Sequence, residues 1–404
     1  MRLLTLLTVL FTASVFAQAP HPLTAELQKN RMAISLKDGK LSGPGADLLL
    51  EELAASQFFM IGEEHETAEI ARLATALLPA ASKNGYRHLA FEIGPYSIAR
   101  LRTYDDVESE LKRHSWSLPF LSWKEEAEFY AAAVKLGMDV WGIDQEFVLA
   151  ATPNLERLVA LAKDDAQRAA ATKMLERSRA GDAELTKTKN PGAVFMFSST
   201  SDDFAALRTA FAGNGEALKL IDALEESHEI YLLNSTSGWE SNYRRSLLMK
   251  RLFADAYAAA AKGEAKPKVI MKLGATHTMR GRSMTGVFDL GNMLPELAFM
   301  NGTRAFSLLV LPRGGFVNSH RPFSPNDDDK RTAYNPAEQL PFDGKPLFDA
   351  VAAGPEWSLF DLRPLRVPLQ RSRMEPLEPR FRNVLWGYDA VLVIPEVSPA
   401  TIFE

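Results

Sequence analysis

An apolar run of strand length, "FFMI", ends at Gly62, and an amphipathic stripe begins a few residues later. From Glu66 onward, Ile70, Leu73, Ala74, Leu77, Leu78 and Ala81 recur at three- and four-residue spacing, the pattern of a helix with one face on a core. "NGY" closes the stripe with a glycine, and "RHLAFEIG" opens a second apolar run. Strand, helix and strand in that order make a right-handed unit whose two strands lie parallel. Such strands are covered by helices on both faces, so their sequences are apolar throughout instead of alternating.

The pattern recurs along the chain. "WKEEAEFYAAAVKLG" is a helix closed by Gly137, and "MDVWGIDQEF" a strand leaving into a loop. Residues 153–235 are helical and more polar, broken near "KTKNPGA", and are expected to form an inserted helical subdomain. "SNYRRSLLMKRLFADAYAAAAKG" is a long helix, "KPKVIMKLGATH" and "TRAFSLLVL" are strands, and "YDAVLVIPEV" is one more near the end. Residues 312–385 are rich in Pro, Arg and Asp with weak periodicity, so an irregular C-terminal extension over about 312–404 is expected. The fold class is therefore α/β, a mostly parallel central sheet flanked by helices. The 404 residues, 46% of them hydrophobic, suffice for one large domain over 18–404.

The first residues, "MRLLTLLTVLFTASVFAQAP", read as a secretory signal: Arg2, an apolar stretch over 3–16, then small residues around Ala17. Cleavage after Ala17 is expected, giving a signal peptide of residues 1–17 and a periplasmic or extracellular protein. A membrane anchor is the alternative reading, but the apolar stretch is short for a span of ~20 residues. The chain has no cysteine, which excludes disulfides, thiolate metal sites and a cysteine nucleophile. Its net charge of −5, with signs mixed and no long basic run, argues against nucleic acid and against an anionic membrane surface. The expected partner is a small-molecule substrate, and the oligomeric state stays open.

Ligands of open α/β sheets bind beyond the carboxyl ends of the strands. The polar residues that stand out lie at such ends: Glu63, Glu64 and His65 after "FFMIG", Glu92 after "HLAF", Asp144 and Gln145 after "VWGI", and His277 after "KLGAT". Two segments share one local form, a strand, a glycine, two residues and a histidine: Gly62 to His65 and Gly274 to His277. The glycines let the backbone turn sharply there and approach a ligand closely. A charge at a strand end is costly to bury unless it is paired or used, which favours function for Glu63 and His65. Glu64 and Glu66 read instead as complements to a helix N-terminal dipole. Glu92 is either functional or a buried structural ion-pair member, and His277 either functional or a satisfied buried histidine. Arg280 is a supporting candidate whose ordinary reading, with Arg282, is a solvated loop residue. His88, His114, His228 and His320 join no constellation. "HETAE" lacks the second histidine of H-E-x-x-H, and there is no G-x-S-x-G elbow, P-loop or strand-linked G-x-G-x-x-G. A serine α/β-hydrolase or a nucleotide enzyme is not indicated.

Taken together, "IGEEH", the strand-end glutamate of "LAFEIG" and "KLGATH" resemble the motifs of the erythromycin esterase, ChaN and Tiki (TraB) superfamily. "VWGIDQEF", "SNYRRSLLMKRLF", "VFDLGNML" and "YDAVLVIPEVSPA" are more like its erythromycin esterase branch. The Gly-x-x-His spacing is that of the ChaN and Tiki branches. The resemblance implies an erythromycin esterase/ChaN-like fold and a hydrolase of esters or lactones needing no cofactor. His65 would take a proton from water, Glu63 or Glu92 would hold its positive charge, and His277 would donate to the oxyanion or leaving group. A base with a pKa near neutral suits such hydrolysis. Two alternatives use the same rim. A Tiki-like peptidase would bind Mn, Co or Zn through His65, His277 and Glu63 or Glu92. A ChaN-like protein would bind haem without turnover, with Phe59, Tyr96, Trp123 and Trp141 as possible pocket aromatics. The helical insertion would act as a lid that selects the substrate.

Overall fold

A computed structural model describes residues 21–318, 331–371 and 377–403. The expected signal peptide, residues 1–17, and His320 lie outside them. The strands in chain order are β1 (Arg31–Lys37), β2 (Lys40–Ser42), β3 (Phe58–Glu63), β4 (Tyr86–Phe91), β5 (Asp139–Gly142), β6 (Lys268–Gly274), β7 (Ala305–Pro312), β8 (Phe316–Val317), β9 (Thr332–Ala333), β10 (Trp357–Asp361) and β11 (Ala390–Ile394). Nine of them form one sheet in the order β2-β1-β10-β11-β7-β3-β6-β4-β5, and β8 and β9 pair separately. From β11 to β5 all neighbours run parallel. The remaining β2, β1 and β10 extend the sheet antiparallel.

The apolar runs are apolar throughout because both faces are covered. Phe59, Ile61, Leu89, Phe91, Ile270 and Leu308 meet one helical layer, which includes Ile70, Leu73 and Leu77 of the helix Ala68–Lys83. Alternate residues Phe58, Met60, Ala90, Val269, Met271 and Leu273 meet another, with Met249, Phe253, Leu290 and Leu294. The first layer also holds Phe129 and Ala133 of the helix Lys124–Lys135, and the second contains the helix Gly238–Ala260. Between β5 and that long helix the chain forms five α-helices, from Ala151–Ala160 to Gly215–Thr236, with an apolar core of their own around Leu155, Phe195, Phe204, Leu220 and Leu224.

The weakly periodic stretch 312–385 departs from expectation at β10, which bridges β1 and β11. Its five residues, "WSLFD", are too few to show a period, and only pairing on both edges makes the strand. β3 is held close to the segment after β6. A Cβ placed on Gly62 would lie 2.2 Å from Thr278 Oγ1 and 3.2 Å from Ala275 Cα. Gly62→Ala is expected to lower unfolding stability by about 1–3 kcal/mol through overpacking. Chemical denaturation checks this, and an unchanged midpoint would show that the two segments can move apart freely.

Candidate active site

Strand register brings the predicted residues together. Glu63, the last residue of β3, lies opposite Gly274, the last of β6. Phe91 at the end of β4 lies opposite Lys272, so Glu92 emerges beside the end of β6. There one Glu92 oxygen accepts a 2.6 Å hydrogen bond from Gly274 N. Side-chain alternation then separates the carboxylates. Glu63, in step with Phe59 and Ile61, points to the face under the helix Lys124–Lys135. Glu92, in step with Ala90, points to the face under Gly238–Ala260.

Each face supplies one cation. Lys272, fully buried, lies 2.6 Å from Glu63 Oε1 and 2.6 Å from Glu126 Oε1. On the other face the Arg245 guanidinium lies 2.6 Å from Glu92 Oε1 and 2.5 Å from Asp144. The histidines close over the sheet end. His65 Nδ1 is 2.9 Å from Glu63 Oε1, and its Nε2 is 4.0 Å from Glu92 Oε1. His277 Nδ1 is 2.8 Å from Asp289, and its Nε2 is 3.4 Å from the same Glu92 oxygen. Both rings thus have one nitrogen anchored by a carboxylate and the other turned toward Glu92. His65 stacks on Phe120, centroid to centroid 4.4 Å. Its side chain is 28% exposed and that of His277 8%, so His65 is the one of the two that faces solvent. Gly274 is needed for this arrangement: a Cβ there would lie 2.8 Å from His65 Nε2.

Electrostatics follow the geometry. Burial alone would discharge His65, but the charge and hydrogen bond of Glu63 and the charge of Glu92 outweigh it and lift its pKa to about 9. His277 is buried too, and Glu92 and Asp289 together raise it to about 10. Burial acts against charge at Glu63 and Glu92 as well, yet Lys272 and His65 hold Glu63 below the usual carboxylate range, while His277 and Arg245 hold Glu92 well below it. Burial wins at Glu64 and Glu126, each pushed up to about 7.

The donor set does not fit a divalent metal. The Glu92 oxygen that both Nε2 atoms face already accepts from Arg245, and the other accepts from Gly274 N. No group of three or more metal-capable side chains with ligand geometry occurs among the described residues. Haem is no better served, since His277 Nε2 is turned to Glu92 and one face of the His65 ring is covered by Phe120.

No family model matches the sequence, and none of the curated proteins is significantly similar to it. Solved structures are similar over nearly the whole chain. Erythromycin esterase EreC, in a histidine-to-asparagine mutant in its open conformation, superimposes with a TM-score of 0.61 at 13% identity, covering 93% of this chain and 99% of that one. The chain has the erythromycin esterase fold. A Bacillus cereus protein shares it, with a TM-score of 0.56 at 15% identity over 95% of this chain and 98% of its own. A succinoglycan biosynthesis protein does too, at 0.56 and 13% over 94% and 98%.

Within this erythromycin esterase fold, Gly62, Glu63, His65, Glu92, Gly274 and His277 meet at one point, and Asp144 joins them through Arg245. Gln145 is set aside from the histidines, lining a cleft of about 460 Å³ with Tyr96, Asp144 and the helices Gly215–Thr236 and Gly238–Ala260. Arg280 needs correction: its guanidinium is paired with Asp389, whose carboxylate also accepts from Ser307 N, so it ties the loop after β6 to β7 and the start of β11. Asp389 claims it because a buried carboxylate needs a cation nearby. Phe59 stacks on Phe306 and Trp141 on His88, both away from the histidine pair, whereas Trp123 lies 6.0 Å from Phe120. His88, His114 and His228 bond to Glu264, Glu156 and the Met196 carbonyl. Sequence reasoning missed Lys272, Glu126, Arg245, Asp289 and Phe120. A lysine inside the apolar run "KVIMKLG" was a readable signal, and Arg245 and Asp289 lie within the quoted stretches "SNYRRSLLMKRLF" and "VFDLGNML" without having been singled out there.

The histidines predict a pH dependence of stability. Their folded-state pKa values exceed the ordinary 6.5, so the stabilisation is complete below pH 6.5 and is lost as pH rises through about 9 and about 10. Glu64 and Glu126 add the same sign between pH 4.5 and about 7. Urea midpoints are expected to fall steadily from pH 6.5 to 10, less steeply in His277→Asn. A midpoint constant over that range would contradict the assigned pairs.

Proposed function

We propose that this protein hydrolyses an ester or lactone by water attack, without a metal. The observation that carries the reading is His65, a partly exposed ring whose Nδ1 is anchored 2.9 Å from buried Glu63 while its Nε2 stands 4.0 Å from Glu92. In the neutral ring the proton sits on Nδ1, donated to Glu63, and Nε2 offers its lone pair to a water. As that water attacks the acyl carbon, Nε2 takes its proton, and Glu63 and Glu92 stabilise the imidazolium that forms. His277, kept protonated by Asp289 and Glu92, and the Arg245 guanidinium supply positive charge for the developing oxyanion. The proton taken by His65 then passes to the departing alkoxide. The fold shared with an erythromycin esterase supports acyl chemistry, and the proposed place for the substrate's remainder is the cleft bordered by Asp144, which pairs with Arg245.

The base is stronger than the near-neutral one expected from sequence, because two carboxylates act on one ring. Only neutral His65 can accept a proton, so kcat/KM on chromogenic esters should rise about tenfold per pH unit and level off near pH 9. His65→Ala should remove on the order of 10²–10⁴-fold of the rate while leaving the fold intact. Exhaustive chelation should leave the wild-type rate unchanged. Full activity in folded His65→Ala would overturn the reading, and loss on chelation with recovery on added Mn²⁺, Co²⁺ or Zn²⁺ would replace it with a metal-dependent one.

A further inference from the structure

Lys272 is out of place by every rule of strand composition. It sits in the middle of the sheet, between β3 and β4, with its side chain at 0% exposure. A lysine is almost never buried so fully unless it is paired. Its two partners differ. Glu63 also holds His65, whereas Glu126, on the helix Lys124–Lys135, has one oxygen on Lys272 and its second, buried oxygen without a hydrogen-bond partner. The side chains thus form one unbranched row, His65–Glu63–Lys272–Glu126, with steps of 2.9, 2.6 and 2.6 Å. The row runs from the solvent-facing ring into the core.

We propose that Lys272 and Glu126 are positioning residues that set the charge state of His65 through Glu63, making the core end of this row the control on the proton-accepting ring. This rests on the reading of His65 as the base and deepens it. Lys272 draws the Glu63 carboxylate away from His65 and so weakens its hold on the imidazolium. Glu126, when ionised, occupies Lys272 and releases Glu63 to His65. The charged groups facing His65 are Glu63 of β3, the adjacent Glu64, Glu92 at the end of β4 and Lys272 of β6. Those facing Glu126 are Lys272, Glu63 and His65. Its neighbour Glu125 is engaged elsewhere, by Arg72 and Thr401.

The two ends of the row therefore have opposite effects. Removing the Glu126 charge leaves Lys272 wholly to Glu63 and should lower the His65 pKa. Removing Lys272 leaves Glu63 wholly to His65 and should raise it. A residue that merely supports the fold would not move the value in opposite directions. Histidine ring resonances, followed by NMR against pH and assigned with His65→Asn, read this without any substrate. Glu126→Gln should shift the His65 titration down by about one pH unit and Lys272→Met up by a similar amount. Glu126→Asp, which keeps the charge, should stay near the wild-type value. If a variant at Glu126 or Lys272 fails to fold, Glu64→Gln still decides: with the adjacent acid that also titrates near 7 removed, the His65 resonance should keep a smaller second inflection near pH 7 as Glu126 ionises. A folded Glu126→Gln with an unmoved His65 pKa, or a Glu64→Gln titration of His65 with a single inflection, overturns the proposal. Loss of ester hydrolysis as the proposed function leaves these ring titrations untouched, so the two failures are distinguishable.

Discussion

One carboxylate, Glu92, accepts from the Arg245 guanidinium and from Gly274 N, and both histidine Nε2 atoms face it. Two imidazoles so close to one another repel when both are charged, and a buried carboxylate without donors is costly. Glu92 resolves both problems at once. It offsets the two rings and is itself satisfied from the backbone of β6 and from the long helix. The parallel sheet is what permits this, because it ends β3, β4 and β6 side by side although their residues are far apart in the chain.

The site is built by opposite means on the two faces of the sheet. Under Lys124–Lys135, a lysine from a strand serves a carboxylate from a strand and one from a helix. Under Gly238–Ala260, an arginine from the helix serves a strand-end glutamate and a loop aspartate. Lysine fits the first place as a compact point charge between single oxygens, and arginine the second as a planar fork across two carboxylates. Removing either cation would leave buried carboxylates short of counter-charge, which is costlier than losing a surface pair. The same pairs that fix the histidines therefore also hold helices to sheet.

Much of this was legible in the sequence. Gly62, Glu63, His65, Glu92, Gly274 and His277 each lie within four residues of the end of an apolar run, so the strand pattern located them, and the parallel order placed them on one rim. What stayed hidden did so for physical reasons. Asp289 lies 12 residues beyond His277 in a stretch without periodicity, so only folding reveals it as the histidine's anchor. Arg245 reads as one of two adjacent arginines on a polar helix. Glu126 reads as an ordinary first-turn acid of its helix, because its burial is decided by a lysine 146 residues away. Arg280, a supporting candidate that otherwise read as a solvated loop residue, is paired with Asp389, 109 residues on, which no local pattern announces. Short antiparallel strands such as β10 exist only through their partners and leave little local signal.

His65 and His277 belong to one electrostatic unit joined by Glu92. The most direct measurement is the titration of both rings by NMR in Glu92→Gln, which keeps the side-chain shape and removes the charge. Both values, about 9 and about 10 in the unmodified protein, are expected to fall together, each by about one unit or more. A fall at His277 alone, with His65 unmoved in a folded protein, would show two separate histidine–carboxylate pairs and contradict the account.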